Sequence, residues 1–359
     1  MDDLKLITAL DDAPSPEAIT GFRTGMMPFW HPVLEASALE CGGPTGVRLL
    51  GRNLVLARLD GEIVVFPDVC RHFQARLSLG TLVQVNGEQA LQCPYHGWAF
   101  GTGGRCVRIP QLAPGRKIPM TANLTSYRAV ERYGIIWVCL ADEATFPIPD
   151  FPEMGDTSFR KVRLRETKPM RTSSTRMIMG TLDDTHFPWV HEGILGDRNK
   201  PEPPNHKVWR QDNELVVQYE VEQPPGLMTT DMSRPDAQRA GPVRILYTDH
   251  VGMPNVIRLV KDTDAGRYVI WLATSPVDYN TTINFWIFAR NYDLNPASDA
   301  AYEAMSAHVR LQDKPIIESQ RPWLIPPFWT RVELPMGPGD LPLMEYQKWI
   351  EELGIATAI

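Results

Sequence analysis

The chain has 359 residues, 43% of them hydrophobic and 22% charged, a globular composition long enough for two domains with separate cores. A formal charge of -7 argues against a nucleic-acid surface, which needs clustered Lys and Arg, and favours a small neutral or mildly polar ligand or a protein partner. No apolar run approaches the roughly 18 residues that span a bilayer, so no membrane helix is expected.

The start, MDDLKLITALDDAPSPEAIT, is acidic and lacks the basic residues and apolar run of a signal peptide. Five cysteines, few and odd in number, argue against a disulfide scaffold and for a reducing, cytoplasmic compartment in which thiolates can bind metal. After an N-terminal helical segment, residues 47–140 read as short strands. Asp60-Gly61 joins NLVLARL to VVFPDVC, and Asn86-Gly87 joins TLVQV to EQALQC, both favoured hairpin dipeptides. These predict a small antiparallel β-domain within residues 1–150, its core at about 28–145, ending at YGIIWVCL before the Pro-rich link FPIPDFPEM.

Within that domain, Cys70-x-His72 and Cys93-x-x-His96 lie with twenty residues between His72 and Cys93. Each pair falls where a strand ends and a turn begins, so two loops can close on one object. Two occupants bind Cys2His2: tetrahedral zinc, and a [2Fe-2S] cluster with two Cys on one iron and two His on the other. A zinc finger groups its Cys together and its His together. Here each loop carries one of each, and that order favours the cluster. Cys41, Cys106 and Cys139 have no His at ligand spacing and read as small buried residues. GTGGR at 101–105 lacks the G-x-G-x-x-G spacing of a dinucleotide loop and reads as a turn.

The two cysteine–histidine motifs, CRHFQARLSLG and CPYHGWAF, resemble those of the Rieske non-heme iron oxygenases, in their terminal oxygenase component. The family usually has Pro between the first Cys and His and Arg just after that His. Here Arg71 and Phe73 stand in those places, which leaves both ligands intact and alters the surface an electron donor meets.

Beyond residue 150 the strand-like runs LVVQYEV, NVIRLVK, RYVIWLAT and INFWIFARNY, separated by turn residues, suggest a larger antiparallel sheet. The helical patterns SDAAYEAMSAHVRLQDKPIIESQ and LMEYQKWIEEL should cover one face of it. The expected class is therefore α+β: the small β-domain, and at 151–359 a helix-grip-like catalytic domain. Segments 201–204 and 223–243 read as loops able to shape a pocket. In GTLDDTHFPWVH, His186 and His191 are five apart, about 140° on an ideal helix. Pro188 between them makes an ideal helix untenable, and a kinked segment could bring both rings to one metal.

Two imidazoles and one carboxylate form the facial triad of mononuclear iron(II) oxygenases. The carboxylate must come from elsewhere. Asp313 in LQDKPIIESQ, where Pro315 interrupts the helical pattern, is the candidate, supported by the resemblance; Glu318 is held in reserve. The resemblance also implies that Asp183 bridges His186 to His96 of an adjacent subunit, with Asp184 as the alternative, in a head-to-tail homotrimer. It further implies O2 as oxidant and electrons from a ferredoxin or flavin reductase, so that NAD(P)H is used by a partner. The implied activity is hydroxylation or O- or N-dealkylation of a small aromatic or heterocyclic compound, as in vanillate or methylxanthine demethylases. Cis-dihydroxylation, or a zinc-stabilised binding protein without catalysis, is the alternative. Met177, Met179, Trp189 and Leu195 flank the iron motif as core or pocket residues. His31, His206 and His308 read as structural or surface groups, and His250 as a possible pocket residue.

Overall fold

The computed structural model describes residues 14–40, 42–165, 168–234 and 241–357. Cys41, the acidic start at 1–13 and part of the loop expected at 223–243 lie outside the described residues. The chain divides into two compact units. One is Met26–Pro147; the other combines the described parts of Met1–Gly25 and Ile148–Ile359. Helix α1 (Pro16–Met26), expected with the first domain, therefore goes up to Gly25 with the second. Arg23 makes a two-pronged ion pair with Asp278 at 2.7 Å, and a Cβ on Gly25 would meet the Gly354 carbonyl oxygen at 2.5 Å.

The unit Met26–Pro147 contains β1 (His31–Glu35), the helical turn α2 (Ser37–Glu40), β2 (Thr45–Leu49), β3 (Arg52–Leu59), β4 (Glu62–Pro67), β5 (Thr81–Val85), β6 (Glu88–Gln92), β7 (Ala99–Phe100), β8 (Cys106–Arg108), β9 (Arg128–Arg132) and β10 (Ile135–Cys139). They form three antiparallel sheets, ordered β1-β10-β9, β2-β3-β4 and β5-β6-β7-β8. Asp60-Gly61 and Asn86-Gly87 both turn with positive φ at each residue (48°, 88° and 53°, 89°), the backbone that a two-residue hairpin requires. The core of this unit, built on Val55, Leu59, Phe66, Leu91 and Phe100, includes Cys70 and Cys93 themselves. The two cysteine loops are thereby anchored in packed interior at the ends of β4 and β6.

The second unit is built on a seven-stranded antiparallel sheet in the order β11-β17-β16-β15-β14-β13-β12. Its strands are β11 (Arg160–Arg165), β12 (Lys207–Gln211), β13 (Glu214–Gln223), β14 (Val243–Gly252), β15 (Val256–Thr263), β16 (Gly266–Asp278) and β17 (Thr281–Arg290). Four of these match the strand-like runs in the sequence. β11 and β12 were missed because they are short, charged edge strands, and β12 shows solvent nearly all along its length. β14 was missed because its start falls in the segment read as a loop.

Helices α3 (Pro152–Gly155), α4 (Ser174–Leu182), α5 (Phe187–Val190), α6 (Asp299–Ser319) and α7 (Leu341–Glu352) complete this unit. α4, opened by the Ser173 hydroxyl accepting from the Arg176 N–H, packs on β15, β16 and β17 and against α6 and α7. α6 runs through Pro315, contrary to the expected interruption. The carbonyl that Pro315 deprives of a donor is that of Leu311, an exposed residue where water can satisfy it. Among the described residues no helix is long and apolar enough to cross a membrane.

Candidate metal centres and catalytic cavity

The two cysteine loops of the first unit are built alike. The Cys70 N–H donates to the Ala75 carbonyl and the Gln74 N–H to the Cys70 carbonyl; the Cys93 N–H donates to the Trp98 carbonyl and the Gly97 N–H to the Cys93 carbonyl. Each loop needs one residue at positive φ in the same relative place, Gln74 at 60° and Gly97 at 73°. The repetition brings like donors together: Nδ1 of His72 and Nδ1 of His96 face each other at 3.2 Å, and the Cys70 and Cys93 thiols are neighbours.

Burial pushes the Cys70 thiol up to about 12, opposed by the His72 backbone N–H aimed at its sulfur and aided by the adjacent Cys93 thiol. The buried Cys70 thiol resists ionisation until a metal cation displaces its proton. The donors divide into a sulfur pair and a nitrogen pair. Tetrahedral zinc would draw all four to one point. Among the described residues, however, the group of metal-binding side chains that converges within 4.8 Å lies elsewhere. A split set suits a two-iron cluster, one iron on sulfur and one on nitrogen. Trp98 stacks on His72, ring centroids 4.7 Å apart and planes 9° from parallel. Phe73 and Tyr95 are exposed beside the imidazoles.

The converging group is His186, His191 and Asp313 in the second unit. Pro188 sits in the first turn of α5, so the helix lasts one turn, with His186 at its start and His191 just past its end. That brings the two rings to 5.1 Å, centroid to centroid. Asp313 comes from α6, its Oδ1 2.8 Å from Nε2 of His191 and 3.6 Å from Nε2 of His186. Ligands about 2.1 Å from a metal and about 90° apart stand about 3 Å from one another, so the spacing fits one ion.

The opposite ring edges fix the tautomers. Nδ1 of His186 donates to Asp183 Oδ2 at 3.1 Å, and Nδ1 of His191 donates to Gln312 Oε1 at 2.9 Å. Both Nε2 lone pairs are thus turned towards Asp313, as metal ligation requires. Two imidazoles and one carboxylate, with no sulfur, are the donor set of a mononuclear iron(II) site.

The adjacent carboxylates divide the work. Burial raises the Asp183 carboxyl, but hydrogen bonds from His186 and Thr185 outweigh it and hold the group below the ordinary carboxylate range. Asp184 points inward to Nε2 of His206 at 3.0 Å, and burial keeps it above that range. Asp183 is therefore the charged partner of His186, and Asp184 a buried structural one. Glu318 accepts from the Arg171 backbone N–H and pairs with Lys314, and it is not part of the group that converges on the histidines.

The triad borders a mostly apolar cavity of about 330 Å³, walled by Met177, Leu195, Leu259, Ile270 and Phe288. Of the four residues expected to flank the iron motif, Met177 and Leu195 reach it, while Trp189 is exposed beside Arg198. Met228, from the loop after β13, also lines it. His250 does not; its Nδ1 meets Glu214 at 2.9 Å across β13 and β14. His31 is wholly buried and His308 exposed. Sequence reading missed Gln312 and the Asp184–His206 pair. The position of Gln312 beside Asp313 was the one available signal.

The profile of Rieske [2Fe-2S] domains matches residues 29–128, and that of the vanillate O-demethylase oxygenase C-terminal domain matches residues 170–354. Methylxanthine N1-demethylase NdmA of Pseudomonas putida is 33% identical over 332 residues, 90% of this chain and 88% of that protein. Methylxanthine N3-demethylase NdmB of Pseudomonas putida is 31% identical over 93% and 91% of the two chains. The solved structure of Pseudomonas putida CBB5 NdmB has a TM-score of 0.79 at 30% identity, with 92% of each chain covered. Dicamba monooxygenase bound to dicamba, at 22% identity and a TM-score of 0.72 over 92% and 97% of the two chains, shares the fold.

Proposed function

The chain belongs to the Rieske non-heme iron oxygenases, and from that premise we propose that it hydroxylates a small aromatic or heterocyclic substrate, or removes an O- or N-methyl group from it. The observation that carries the reading is the convergence of His186, His191 and Asp313 at the edge of a mostly apolar cavity. An apolar cavity takes up a flat organic molecule by burying its surface.

Cys70, His72, Cys93 and His96 would hold the [2Fe-2S] cluster, and His186, His191 and Asp313 the iron(II). Together these groups supply electrons and a place for O2 to react. The protein's own residues do the rest. Asp183 and Gln312 keep both Nδ1–H groups engaged, so the ring orientations are set before any metal arrives. The apolar walls exclude water from the reacting centre.

The reading includes a homotrimer in which Asp183, charged and partly exposed beside His186, meets His96 of the adjacent subunit. Electrons come from a separate ferredoxin or flavin reductase that uses NAD(P)H. Demethylation is favoured by the resemblance to NdmA and NdmB, which are named as methylxanthine demethylases.

The test is His186→Ala in protein purified without air. Wild type should carry three irons for every two acid-labile sulfides per chain. The variant should keep the red-brown cluster and its sulfide, lose one iron, and give no product with a surrogate reductase. Undiminished turnover by the variant, or zinc without sulfide in the wild type, would overturn the proposal.

A further inference from the structure

Most cations on the cavity wall have an evident local role. Lys314 pairs with Glu318, the Arg310 guanidinium donates to the Ser306 carbonyl, and Lys168 is exposed. Lys261 is different. It rises from β15 on the same sheet face as Leu259, and its relative exposure is 2%, a burial that lysines rarely reach. Its Nζ lies 3.9 Å from the Met228 sulfur and 5.1 Å from the centre of the Tyr247 ring. Among the described residues no carboxylate comes within 4.0 Å of it.

The β14–β15 register sets Lys261 opposite Tyr247 and puts Asp249 opposite Leu259, one diagonal step away. Asp249 is itself fully buried and does not line the cavity. Burial lowers the Lys261 ammonium to about 7, partly offset by Asp249, and the same burial pushes the Asp249 carboxyl well above its ordinary range. An ammonium placed against an apolar cavity with no anion in contact is destabilising, and an incoming anion that pairs with it removes that cost.

We propose that Lys261 is the substrate anchor of this cavity, its Nζ donating to an anionic oxygen, such as a carboxylate, on a ring held against Leu259, Ile270 and Phe288. Lys261 would then be a specificity-determining residue that selects acidic substrates over neutral ones of the same shape. The inference rests on reading the cavity as the substrate site.

The test is equilibrium binding to the oxidised holoprotein, without reductant, of two probes of matched shape, 4-methoxybenzoate and 4-methoxybenzamide, followed by calorimetry. Wild type should prefer the benzoate by about tenfold or more, the scale of a charge-assisted hydrogen bond. Lys261→Met should erase the preference by weakening the benzoate alone, and Lys261→Arg should keep it. Equal binding of both probes to wild type, or a preference that survives in Lys261→Met, overturns the anchor and leaves the cavity as the substrate site. Failure of both probes to bind wild type overturns the anchor together with the cavity reading.

Discussion

Gln312→Leu isolates one hydrogen bond at the proposed iron site. Gln312 Oε1 accepts from Nδ1 of His191 at 2.9 Å, and the His191 side chain is 1% exposed. Leucine has similar bulk and no acceptor, so the Nδ1–H would be left buried and unpaired, at a cost of about 1–3 kcal/mol. Part of that cost is relieved if the ring rotates or changes tautomer, and either change turns the Nε2 lone pair away from Asp313. Iron affinity should fall about 10- to 100-fold, the usual effect of removing a partner behind a metal ligand. The assay is iron retained after anaerobic dialysis against graded chelator, with the visible absorbance of the cluster in the other unit as internal reference. Gln312→Glu, which keeps an acceptor, should stay within a few-fold of wild type. If Gln312→Leu holds iron as tightly as wild type while its cluster is intact, Nδ1 orientation is not what prepares this site.

Two further perturbations address the unit Met26–Pro147. His31 is fully buried, with its Nε2–H donating to the Met26 carbonyl, and burial lowers it to about 4 against that hydrogen bond. Unfolded, it titrates near 6.5, so as pH falls the unfolded chain takes up the proton first. The stability that neutral His31 supplies is therefore complete above about 6.5 and is lost as pH falls towards about 4, a total of about 3 kcal/mol. His31→Gln should flatten the denaturant midpoint against pH across that window; an unchanged slope would mean another group is responsible. In the turn read from GTGGR, Gly104 has φ +77° and a Cβ there would lie 2.4 Å from the Leu124 carbonyl oxygen, whereas Gly103, at +66°, has open space. Gly104→Ala should cost roughly 2–4 kcal/mol and Gly103→Ala roughly 1–2. Equal losses of thermal stability would refute the clash as the cause.

Much of the site chemistry is legible locally. Cys70 and His72, Cys93 and His96, and His186 and His191 each fall within a single loop or turn, so their spacing along the chain nearly equals their spacing in space. The hairpins at Asp60-Gly61 and Asn86-Gly87 are legible for the same reason, since the φ they require is a property of the residue itself. The edge strands β11 and β12 were not, because β11 offers only two apolar residues, Val162 and Leu164, among charged ones, and β12 shows solvent nearly all along its length. Pro315 misled because its helix-breaking tendency is local, while the surface position of Leu311 that tolerates it is not.

The sequence by itself determined which side chains could bind metal and how each pair is closed by its turn. The tertiary structure decided what stands behind and beside them. Gln312 meets His191 across 121 residues, and Lys261 reaches the Met228 sulfur across 33. Asp184 meets His206, from the far side of the loop after α5, across 22. Such contacts join separate elements, so no periodicity or short spacing records them. They exist because the sheet register and the packing of α4 and α6 bring distant residues together in the interior, where burial makes each unpaired polar group costly.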